Sequence, residues 1–133
     1  MLLTAVLVIA LAQDAATSLA TCRTIGVDPA RTWSIERADG RWHVSHWRGA
    51  DSTAAARLAL PISADVRLTS TAVHVRARTS NGGIDVTLTG APAAATLDIY
   101  VSYELEVNVD ASLTPKIDDL NTDGPIGVRC DVR

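Results

Sequence analysis

Between Leu97 and Asp110 the sequence alternates apolar and polar residues without exception. Leu97, Ile99, Val101, Tyr103, Leu105, Val107 and Val109 share one parity, while Asp98, Tyr100, Ser102, Glu104, Glu106, Asn108 and Asp110 share the other. Side chains on a β-strand alternate faces with period 2, so this run predicts a strand with one dry side and one acidic, wet side. At about 3.3 Å per residue it would reach roughly 45 Å. A helix cannot gather these residues on one face, because its period is near 3.6.

The rest of the chain after Thr32 reads in the same way, as strands separated by turns. Thr32 to Arg48 predicts a hairpin about Asp39-Gly40, a dipeptide that tolerates the positive φ of a type I′ turn. This register sets Arg37 opposite Trp42, Ile35 opposite Val44 and Trp33 opposite His46, and it pairs Glu36 with His43 as an exposed charge pair. A second hairpin turns at Asn81-Gly82, matching Ala77 with Val86 and Val75 with Leu88 on the dry face and Arg78 with Asp85 on the wet one. Between Val66–Leu68 and Val73–Ala77 the apolar parity switches, which calls for a turn or bulge near Thr69–Thr71. Ala50 to Ala59 is alanine-rich and fits one helical turn or a loop. Leu58, Leu60 and Ile62 alternate around Pro61. Ile126, Val128 and Cys130 predict a short last strand. The fold expected is all-β, an antiparallel β-sandwich of about seven or eight strands, with a short β-solenoid as the alternative.

Met1 to Ala12 carries only Thr4 as a polar side chain. The run is shorter than the roughly 20 apolar residues of a membrane-spanning helix and matches the apolar region of a secretory signal. Small residues offer cleavage after Ala12 or after Ala20. The organisation expected is a leader or apolar segment over 1–20 and a single β-rich domain over 21–133. Cys22 and Cys130 are the only cysteines. In an oxidising compartment they predict a disulfide, whose closure of so long a loop is worth roughly 4–5 kcal/mol in the chain-entropy model. The formal net charge is −3. No basic field exists to attract nucleic acid, and no membrane span is expected once the leader is gone.

Three chemical readings follow. Asp119-Leu120-Asn121-Thr122-Asp123-Gly124 matches the first half of a calcium loop, with oxygen side chains of Asp119, Asn121 and Asp123 at positions 1, 3 and 5 and glycine at 6. Position 12 is Cys130 where a bidentate Glu belongs, and an ordinary Asp-Gly turn explains the same residues. Trp33, Trp42 and Trp47 supply most of the aromatic content and are candidates for stacking on a sugar or anchoring a partner. Trp33 and Trp42 share the apolar strip of their hairpin and read as core, which leaves Trp47 as the exposed candidate. His43 and His46 alternate faces and cannot chelate one metal from a regular strand. No nucleophile elbow, phosphate-binding loop or metalloprotease motif occurs, so catalysis and a resident cofactor are not expected.

Thr79-Ser80-Asn81-Gly82-Gly83-Ile84-Asp85-Val86 resembles the recurring strand-turn-strand unit of bacterial adhesin-like β-solenoid domains of envelope proteins. Leu120-Asn121-Thr122-Asp123-Gly124-Pro125-Ile126-Gly127-Val128 is similar. The resemblance covers these two stretches only and implies an envelope context. The function expected is an exported cell-envelope or extracellular structural or adhesion module, secreted, periplasmic or on the cell surface. It would act through β-surface or strand-edge contacts with a protein partner or with itself, without catalysis. A secreted small-ligand binder, for sugars, with a calcium-stabilised loop is the second reading. A virion or intracellular structural subunit that keeps its N-terminal segment is the third.

Overall fold

The computed structural model describes residues 17–50, 56–102 and 120–133. Within them lie nine strands: β1 (Thr17–Thr24), β2 (Arg31–Ala38), β3 (Arg41–Arg48), β4 (Ala56–Ala59), β5 (Asp65–Leu68), β6 (Val73–Arg78), β7 (Ile84–Ala91), β8 (Ala94–Val101) and β9 (Ile126–Val132). They form one sheet in the order β4-β3-β2-β1-β9-β8-β7-β6-β5. All eight ladders are antiparallel. The all-β, antiparallel expectation therefore holds. The strands expected in two sheets are joined in one continuous ladder, because β1 and β9 pair at its centre. A solenoid would stack parallel neighbours, and no described ladder is parallel.

The hairpins have the registers read from the sequence. β2 and β3 pair Arg37 with Trp42, Ile35 with Val44 and Trp33 with His46. Asp39 and Gly40 both take positive φ, 53° and 71°, as a type I′ turn requires. In the second hairpin Ala77 meets Val86 and Val75 meets Leu88. Its turn is held by Asn81 Oδ1, which accepts from Gly83 N–H at 2.9 Å and from Thr79 Oγ1 at 2.7 Å. The parity switch is a third hairpin turn, in which Thr69 N–H donates to Ala72 O.

Other segments differ from expectation. Ala56–Ala59 is a strand rather than a helical turn, pairing along β3. Leu58 and Leu60 are buried, but Ile62 is 90% exposed, because Pro61 ends the alternation and the chain bends away. Glu36 and His43 are directly opposite yet only partly exposed, and Glu36 is engaged by Ser45 and Arg57 instead of standing as an exposed pair with His43. The alternating run begins earlier than Leu97, since β8 starts at Ala94 and pairs with β7 along its whole length. Residues 103–110 of that run lie outside the described residues.

One face of all nine strands is apolar and forms a single core cluster, from Leu58 on β4 through Ile35, Cys22, Val128, Leu97 and Val86 to Val75 on β6. A flat sheet would leave this face wet. Trp33 Nε1 donates to Leu120 O at 3.2 Å, and Leu120 precedes Thr122, whose N–H donates to Ile99 O on β8. β2 and β8 are three places apart in the sheet, about 14 Å if it were flat. The sheet is therefore curled around its own apolar face. Cys22 and Cys130 are opposite each other on β1 and β9 and form the expected disulfide across this core face.

Candidate functional site

On the opposite, outer face the central strands do something a solvated sheet surface does not. Thr32, Ser34 and Ser45 are polar and point away from the core, yet they are only 3%, 1% and 4% exposed. These short side chains form a floor between taller neighbours. Above it lies a trough of about 610 Å³ bordered by Trp47 on β3, Arg57 on β4, Arg23 on β1, Asp131 on β9 and Arg133 just past it. A second depression of about 400 Å³ continues it past Thr32 to Gly49 and shares Arg23 and Trp47 with the first. The half-buried Trp47 thus borders both hollows.

The floor is already hydrogen-bonded. Ser18 and Ser34 share a hydrogen bond of 2.6 Å. Ser45 Oγ donates to Glu36 Oε1 at 2.8 Å, and Arg57 Nε lies 3.5 Å from the same oxygen. A carboxylate fixed between a hydroxyl and a guanidinium is a preorganised acceptor rather than a mobile charge. His43, two residues before Ser45 on the same face, has its pKa lowered, first by burial and then by the nearby charge of Arg57.

The charge on the β1–β9 side is unbalanced. Strand pairing puts Arg23 directly opposite Arg129. Arg133 follows just past the end of β9, with Asp131 between it and Arg129. Among the described residues Arg23, Arg129 and Arg133 make no ion pair. Like charges directly opposite each other destabilise a sheet, so this apposition is a local cost of the fold.

The three tryptophans separate as the hairpin register predicts. Trp33 is fully buried, Trp42 packs half-buried against the core with Arg37 stacked on it at 4.9 Å, and Trp47 faces outward. The histidines separate too: His46 is buried against Trp33 and accepts a hydrogen bond from Arg31 Nε, whereas His43 faces outward.

The candidate calcium loop is used differently. Asn121 Oδ1 accepts from Val101 N–H at 2.6 Å and Thr122 Oγ1 accepts from Ile99 N–H at 2.9 Å, so these side chains extend the edge of β8. Asp123 sits exposed in the turn at φ 56°, and Asp119 lies outside the described residues. Among the described residues no group of three acidic, histidine or cysteine side chains converges on a metal position.

Sequence reasoning missed the trough for two reasons. The first half of β1, with Ser18, falls within the 1–20 segment expected as a leader, and the floor is made of Ser and Thr, which carry no pattern that separates a buried polar floor from solvated strand residues. The only available signal was Trp47 on the wet parity of its strand. No family model, curated protein or solved structure matches this chain.

Proposed function

We propose that this chain is an extracytoplasmic β-module of the cell envelope that works by presenting the outer face of β9-β1-β2-β3-β4 to a partner, without a chemical step. The observation that carries the reading is the trough itself: a rigid, hydrogen-bonded polar floor with one tryptophan standing over it. Binding surfaces favour a flat aromatic side chain beside fixed hydrogen-bonding groups, because little entropy is lost on contact. The floor is rigid for a second reason. Behind it stands the core and the Cys22–Cys130 disulfide, which persists in oxidising compartments outside the cytoplasm. Among the described residues no helix is long and apolar enough to cross a membrane.

Surface contact is favoured here over strand addition. The two end strands, β4 and β5, have four residues each. β5 also carries Asp65 and Arg67, paired at 2.9 Å. Short, charged end strands are how sheets discourage edge pairing. β8, whose alternation drew attention in the sequence, is internal, with β7 on one side and β9 and Asn121–Thr122 on the other.

Fractionation of producing cells tests this reading. The full chain is expected outside the cytoplasm and retained with the envelope, and the Trp47→Ala variant is expected to be released into the soluble fraction while still folded. Cytoplasmic recovery, or equal retention of both proteins, would overturn it.

A further inference from the structure

We infer that the trough is a binding site for an acidic saccharide, a chain of hydroxylated rings bearing carboxylate or sulfate groups. The inference rests on the surface reading above and names the chemistry of the partner. Three independent features converge on it. Trp47 lines both joined hollows, half-buried and on the outward parity of β3, where an aromatic ring can stack with one ring of an extended ligand that runs through both. The floor of Thr32, Ser34 and Ser45 is short, nearly fully buried and already hydrogen-bonded, and it lets a ring approach the sheet closely. Beside it Glu36 is held ready as an acceptor for ligand hydroxyls.

The third feature is charge. Arg23, Arg57 and Arg133 line the trough against the carboxylates of Glu36 and Asp131, and Arg129 stands opposite Arg23 on the same face of the ladder. Arg57 is offset by Glu36 at 3.5 Å. Asp131 stands between Arg129 and Arg133, which leaves Arg23 facing Arg129 across the ladder with no partner among the described residues. An anionic group placed over that pair turns a repulsion into two charge-assisted contacts. This local excess of positive charge occurs on a chain whose formal net charge is −3, so it is not a by-product of composition. A neutral sugar satisfies the tryptophan and the floor but leaves the arginine pair as it is.

The test uses the folded, disulfide-bonded protein and titration calorimetry with two probes, oligogalacturonate and a neutral maltooligosaccharide of equal length. Oligogalacturonate is expected to bind, with affinity falling as salt is raised, and the neutral probe to bind at least about tenfold more weakly, the scale of one charge-assisted hydrogen bond. Arg23→Gln is expected to lose about tenfold for the acidic probe only. Trp47→Ala should lose both, with unchanged thermal unfolding as the control for folding. Equal binding of the two probes, or an Arg23→Gln variant indistinguishable from the parent, would overturn the acidic specificity and leave the surface reading standing. Failure of both probes to bind would overturn the saccharide assignment altogether. Failure of the surface reading itself is seen separately, as loss of the Trp47-dependent envelope retention.

Discussion

Trp33 and Trp47 belong to one hairpin and show how a single position in the alternation decides what a side chain is for. Trp33 faces the core, fully buried, with its indole N–H fixed on Leu120 O. Trp47 has the opposite parity and stands over the polar trough. The same logic separates His46 from His43. Burial and the charge of Arg57 lower the pKa of His43, so the folded state favours its neutral form. Its contribution to stability is therefore present above the ordinary value of 6.5 and is lost as pH falls through the lowered folded value. The charges of Arg57 and Arg41 act with burial, while a hydrogen bond with the Arg41 backbone and the charge of Glu36 oppose the shift. Thermal unfolding from pH 8 downwards is expected to show a drop that begins near pH 6.5, and the drop should shrink in His43→Gln. An unchanged pH profile in that variant would assign the acid sensitivity elsewhere. The facing of each of these residues was legible from strand parity. The calcium reading of Asn121 was not decidable there, because the same oxygen spacing also serves a turn that caps β8.

At the scale of elements, hairpin turns were the most legible feature and the N-terminal strand the least. Asp39-Gly40 and Asn81-Gly82 specify positive-φ geometry locally, so the register of four strands follows from two dipeptides. β1 has no such mark. Its residues are mostly small, its register is broken between Ser18 and Ala20, and it follows an apolar run that resembles a leader. In the fold Ala20 is fully buried and paired on both sides, with Ile35 of β2 and Val132 of β9. Cleavage after Ala20 would remove half of a central strand, whereas cleavage after Ala12 spares all of it. Under the proposed export, the intact mass is expected to match a chain beginning at Gln13, with both cysteines open to alkylation only after reduction. A mass corresponding to a start at Thr21 would contradict the role given to β1.

The whole molecule is a sheet used on both faces. Its inner face is closed by curling and by the Cys22–Cys130 bridge, and its outer face carries the trough over the same central strands. The long alternating run drew attention to β8, but β8 is an internal strand between β7 and β9 and the trough lies elsewhere. The site was illegible from sequence because it assembles five strands from both ends of the chain. Their adjacency depends on β1 pairing with β9, which no local pattern announces. Which face receives a ligand, the outer face rather than the core or an end strand, is read directly from the indole N–H resonances of Trp33, Trp42 and Trp47. On titration with oligogalacturonate the Trp47 resonance is expected to move in proportion to saturation while that of Trp33 stays fixed. Movement of Trp33 or Trp42 with Trp47 unchanged would contradict it.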